Sequence, residues 1–137
     1  MKSPLKNPLK KSANNIIHSY VSWFEIPAQN FHRAVTFYNV VYEIELHCLE
    51  MNGYSMGLFP EVNGVGGAVI AGEGCIPSDH GPILYLNAGD DLNTMLFRVE
   101  NAGGRILMGK TPIGETGGYF ALFMDSEGNK LALHSKN

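Results

Sequence analysis

The strongest constraint on this chain is that its second half repeats its first. Leu84, Leu86 and Ala88 stand in the places of Phe24, Ile26 and Ala28 at an offset of 60 residues. Leu92, Met95, Leu96, Val99 and Ala102 then reproduce Phe31, Ala34, Val35, Tyr38 and Val41 at an offset of 61, and Gly118-Tyr119 echoes Gly53-Tyr54. A repeat of this length is one supersecondary unit copied and stacked, so each copy must bury its apolar side against the other. In the first copy, alternation from Tyr20 to Ala28 predicts a half-buried strand, with Phe24, Ile26 and Ala28 on one face and Trp23 and Glu25 on the other. Asn30 is a candidate N-cap for an amphipathic helix over 31–42. Strand-like runs follow at 44–50, 54–59 and 66–72, separated by Asn52-Gly53 and by the turn-rich Pro60 to Gly64. The second copy has a strand at 84–88 and a helix capped by Asp90 or Asp91 and ended by Gly103-Gly104. Its strand runs lie at 105–109, 118–124 and 130–135. The chain therefore reads as βαβββ twice, an α+β domain of two modules (18–72 and 82–136) joined by a linker over 73–81. A helix on one face of each sheet leaves the other face free to curve around a cavity.

At 137 residues with 45% hydrophobic content the chain is long enough to bury one core without disulfides or a structural metal. The net charge of −3 is unevenly placed. Four of the ten basic side chains (Lys2, Lys6, Lys10, Lys11) fall in the first eleven residues, whereas from His18 onward six basic groups face thirteen acids, a charge of −7. A body with so few cations offers no stripe for phosphate backbones, which excludes nucleic acid as a partner. Residues 1–17 carry Pro4 and Pro8 and no apolar period, which predicts a mobile basic arm with neither the apolar stretch of a signal peptide nor a membrane-binding face. Cys48 and Cys75 form no C-x-x-C, and two reduced thiols in a cytoplasmic protein are expected. The acids Glu43, Glu45, Glu50, Glu61, Glu73, Asp79, Asp90, Asp91 and Glu127 fall on outer faces, helix starts, turns and the linker, where solubility accounts for them. Gly104 to Thr111 fits the G-x-x-x-x-G-K-T phosphate-loop pattern. The helix before it, the strand-like Arg-Ile-Leu-Met within it and Pro112 after it exclude that reading.

The duplicated plan, with WFEIPAQNFHRAVTFY at 23–38 and GGYFALFMDSEGNKLALHS at 117–135, resembles the vicinal oxygen chelate superfamily. That group contains glyoxalase I, the bleomycin and fosfomycin resistance proteins and the extradiol dioxygenases. The most specific parts are Arg33-Ala34-x-x-Phe37-Tyr38 and Phe123-x-Asp125-x-x-Gly128-Asn129. The resemblance implies a glyoxalase/bleomycin resistance-like fold in which two modules form a curved mixed sheet around a cavity, and a homodimer. In the superfamily's enzymes it also implies a divalent metal bound by His, Glu or Gln, acting as a Lewis acid. The corresponding positions here are Trp23, Ile83 (or Pro82) and Ala132, with a fourth on the run 66–72, which has no His, Asp or Glu. None of these side chains gives a metal a lone pair, so the expected cofactor is none.

The inferred inward faces instead carry Trp23 and Glu25, Tyr85 and Asn87, and Lys130, Ala132 and His134, an aromatic wall with a few polar groups. Trp23 either stacks on a planar ligand or plugs a collapsed cavity. Glu25 must meet water, a cation or a hydrogen-bond donor: it either pairs with Arg33 or Lys130, or anchors a ligand amine or serves as general base. His134 is either a base or hydrogen-bond donor or a structural side chain, and His80 either a lid residue or an exposed loop residue. Buried small apolar roles are expected for both cysteines. The resulting expectation is a protein that binds or sequesters a small organic molecule through Trp23, Glu25, Tyr85, Asn87 and His134. The rival is a metal-dependent lyase, isomerase or dioxygenase with ligands drawn from Glu25, His80, Glu115 and His134.

Overall fold

A computed structural model describes Ile17 and residues 19–137. The basic arm expected over 1–17 therefore lies, but for Ile17, outside the described residues. Both copies fold as the repeat requires. The first comprises β1 (Trp23–Pro27), α1 (Phe31–Tyr42), β2 (His47–Met51), β3 (Tyr54–Val62) and β4 (Val65–Ala71). The second comprises β5 (Tyr85–Asn87), α2 (Leu92–Asn101), β6 (Arg105–Pro112), β7 (Tyr119–Met124) and β8 (Lys130–Ser135). Each module has its own mixed four-stranded sheet, ordered β1-β4-β3-β2 in the first and β5-β8-β7-β6 in the second. The one parallel pair in each sheet is β1 with β4 and β5 with β8. The duplication extends to register, because Glu25 lies beside Ala68 as Tyr85 lies beside Ala132.

Several boundaries differ from the sequence reading. The first strand begins at Trp23, not Tyr20. β3 runs through Pro60 to Val62 and shrinks the expected turn to Asn63-Gly64, which adopt φ 52° and 82°. The ladder slips between Phe59 and Val62, which is where a strand can hold a residue without an N–H. β6 likewise continues to Pro112, so the phosphate-loop pattern is strand from Arg105 to Thr111.

The helices start and stop as their sequences dictate. The Asn30 side chain accepts from the Arg33 N–H at 3.0 Å, and the Asp91 side chain from the Asn93 N–H at 3.0 Å. Glu43 ends α1 in the left-handed region, and the Asn39 carbonyl accepts from the Ile44 N–H. Ala34, Phe37, Tyr38 and Val41 of α1 and Leu92 and Val99 of α2 are buried in one core with Ile26, Val69, Phe123, Leu131 and Leu133. Full burial of each large side chain contributes roughly 1.5–3 kcal/mol, so the core shared by the two modules dominates what holds them together.

Candidate functional site

With the helices on one face of each sheet, the other face stays open, and two consecutive glycines shape it. Gly66 leaves room for the Trp23 ring, whose nearest atom would lie 3.2 Å from an added Cβ. Gly67 leaves room on the opposite face for the Phe24 ring, which would lie at 2.4 Å. Trp23 thus lies on its neighbouring strand and remains 46% exposed. Its indole N–H donates to Glu25 Oε2 at 3.2 Å, which answers the question of Glu25's partner: it is neither Arg33 nor an ion pair with Lys130. On the second sheet Tyr85 is 52% exposed and tilts against Phe120, their centroids 6.2 Å apart. Asn87 stands beside His134 in the parallel ladder and its side chain accepts from the Gly89 N–H. His134 Nε2 lies 2.8 Å from the Gly117 carbonyl, and an acceptor there requires that Nε2 carry the proton, leaving Nδ1 as the basic position. Of the five expected wall residues, the structure thus joins Trp23 with Glu25 on one sheet and groups Tyr85, Asn87 and His134 on the other.

Between the two groups runs a seam. β1 and β5 each pair on one side only, and no Cα of one comes within 8 Å of the other. At one end the seam widens into a groove of about 580 Å³ whose walls include Phe24, Tyr42, Phe59, Leu84, Tyr85 and Asn87. The Tyr42 hydroxyl donates to the Asn87 carbonyl at 2.7 Å, and burial pushes this phenol well above its ordinary pKa, so it is a fixed neutral donor. At the other end is a smaller cleft of about 160 Å³, bordered by Glu25, Ser78, His80, Leu84 and Lys130. Cys75 lies close enough to Glu25 that burial, aided by this carboxylate, pushes its thiol pKa up, the wrong direction for a nucleophile.

The side chains do not fit the superfamily's metal. The expected ligand positions hold Trp23, Ile83 (or Pro82) and Ala132, and the run 66–72 has only Gly, Ala, Val and Ile, none of them a donor. Among the described residues no three His, Cys, Asp or Glu side chains group so as to hold an ion. Glu25 and His80 share the small cleft, but His80 is turned to solvent, with its side chain 87% exposed and its Nδ1 3.0 Å from Asp79.

The two motifs that carry the family resemblance meet elsewhere. The β7–β8 turn clamps the start of α1. Glu127, whose side chain is fully covered, accepts from the Gln29 and Asn30 N–H groups at 3.0 and 2.7 Å and from Arg33 Nε at 2.7 Å. Solubility does not account for this acid, and Arg33 is taken by it. Burial raises the Glu127 pKa, but the Arg33, Asn30 and Ser126 hydrogen bonds together lower it below the ordinary carboxylate value. Beneath it the buried Tyr38 hydroxyl donates to Asp125 at 2.7 Å, and Asn129 donates to Asp125 and to the Pro27 carbonyl. The sequence holds a signal for this clamp, the Asp125-x-x-Gly128-Asn129 turn, but nothing in it says which helix the turn grips.

The paired βαβββ modules and their two mixed sheets are the glyoxalase/bleomycin resistance protein fold. Solved structures agree. TnmS3, an antibiotic binding protein from a Streptomyces species, superposes with a TM-score of 0.67 at 19% identity over 90% of this chain and 100% of its own. A glyoxalase/bleomycin resistance protein from Albidiferax ferrireducens gives 0.67 at 12% identity over 87% of this chain and 100% of its own. A glyoxalase I mutant from Zea mays gives 0.65 at 16% identity over 83% of this chain but 45% of the maize protein. No protein-family model and no curated protein matches the sequence. At these identities the likeness is one of fold.

Proposed function

We propose that this protein binds or sequesters a small, largely apolar organic molecule without using a metal. The observation that carries this reading is the 580 Å³ groove with its aromatic walls, because that volume suits a drug-sized ligand. Of the five expected wall residues, Tyr85 and Asn87 line it, whereas Trp23, Glu25 and His134 stand outside its lining. The antibiotic-binding description of TnmS3 supports the same class of role. The rival, a metal-dependent enzyme of the glyoxalase type, has in its favour the fold it shares with the maize enzyme and the presence of Glu25 and His80 on one cleft. The proposed setting is a cytoplasmic homodimer, which sedimentation at micromolar concentration tests.

A thermal-shift panel of polycyclic antibiotics and aromatic metabolites, run in chelator and again with Mn, Fe, Ni or Zn, separates the two readings. We expect at least one compound to raise the melting temperature equally in both conditions. Tyr85→Ala, or a charge placed on the exposed groove rim by Val62→Glu, should weaken that compound's binding tenfold or more. Stabilisation by a metal alone, or turnover that depends on it, would overturn the proposal in favour of the enzyme.

A further inference from the structure

The small cleft at the other end of the seam has a different chemistry from the groove. It holds a carboxylate, Glu25, and an ammonium, Lys130, that are not paired with each other, since no salt bridge within 4.0 Å joins them. One Glu25 oxygen is engaged by the Trp23 indole and the other is left over. The cleft is also held in shape before anything binds. Ser78 N–H donates to Asn129 Oδ1 at 3.0 Å, Lys130 N–H to the Ser78 carbonyl at 3.2 Å and Ala132 N–H to the Leu84 carbonyl at 3.0 Å, so Ser78 of the linker and Leu84 ahead of β5 are both tied to the β8 segment. The rest of the lining mixes the apolar Ile26, Ile76, Pro82 and Leu131 with the polar Ser78, His80 and Asn129. The volume of about 160 Å³ equals roughly that of five water molecules, well under the range of drug-sized ligands.

From these observations we infer a second binding site, for a small zwitterion of the amino-acid class, with its ammonium on Glu25 and its carboxylate on Lys130. The opposed charges select a ligand carrying both signs, the volume limits it to a few carbons, and the apolar wall accepts its hydrocarbon part. The site stands whether or not the groove takes a ligand of its own.

Amide chemical shifts of the full chain test this with glycine, L-valine, β-alanine and γ-aminobutyrate, and with the singly charged isobutylamine and isobutyrate. We expect saturable shifts confined to Glu25–Pro27, residues 76–84 and Asn129–Leu131 for one or more zwitterions, and at least tenfold weaker binding of both singly charged analogues. Glu25→Gln should remove the advantage over isobutyrate, and Lys130→Met the advantage over isobutylamine, each with the remaining spectrum unchanged. Absence of saturable shifts with every zwitterion would overturn the inference. So would equal binding of isobutylamine by the parent protein, which would make the cleft an amine site, or of isobutyrate, which would make it an anion site. Loss of groove binding in Tyr85→Ala with these shifts intact would separate the two sites.

Discussion

Glu127 ties the two modules together by hydrogen bonds. It accepts from two backbone N–H groups of module one and from Arg33, while sitting on the β7–β8 turn of module two. Glu127→Ala leaves both N–H groups without that acceptor and should cost about 1–3 kcal/mol in urea unfolding. The pH dependence has a fixed sign. Because the folded carboxyl titrates below its unfolded value of 4.5, its contribution is full above that value and is lost as pH falls through the lower folded pKa. As pH falls below 4.5 the parent protein should therefore lose stability more steeply than Glu127→Gln, and parallel curves would contradict the assignment. Tyr38→Phe, which deletes a buried donor and leaves Asp125 its Asn129 partner, should cost about 1 kcal/mol.

At the scale of elements, Gly104 lets the chain leaving α2 pass close to β7 and to Phe37 of α1. A Cβ there would lie 2.8 Å from the Met124 carbonyl and 2.9 Å from the Phe37 ring, and the first of these is backbone that cannot step aside. Gly104→Ala is expected to lower stability by about 1–3 kcal/mol, with the amide shifts of β6 and β7 moving most. Glu43→Gly makes the opposite point. It relieves a left-handed non-glycine residue, worth about 1 kcal/mol, and gives up an exposed ion pair with Arg98 worth about 0–1 kcal/mol, so the melting temperature should hold or rise slightly. The elements themselves were legible because apolar spacing and caps are local: α1 occupies the span that Phe31, Ala34, Val35, Tyr38 and Val41 mark out. Strand ends were less so, because Pro60 and Pro112 read as breakers until a slipped ladder or a sheet edge accommodates them.

For the whole molecule, one core and the Glu127 clamp tie both modules into a single cooperative unit. Native-state hydrogen exchange should give the buried amides of Val69 in module one and Leu133 in module two the same opening free energy. In Glu127→Ala the two values should separate. The face on which each wall residue stands was legible from alternation, and the structure keeps Trp23 with Glu25 and Tyr85 with Asn87 on common faces. The groove and the clamp were not, because both arise where residues about 60 or 100 positions apart meet: Phe24 with Leu84, and Arg33 with Glu127. Periodicity fixes which way a side chain points but not how far one sheet stands from another.

The contact between Trp23 and Glu25 has a practical consequence. The chain's only indole has its N–H tied to the one carboxylate that borders the small cleft, and nearly half of its surface is in solvent. A molecule that claims this carboxylate must either share it with the indole or displace it, so the intrinsic emission of the protein will shift in wavelength or intensity without an attached dye. Occupancy of that end of the seam is thus written into the protein's own fluorescence, and Glu25→Gln should change the unliganded spectrum before any ligand is added.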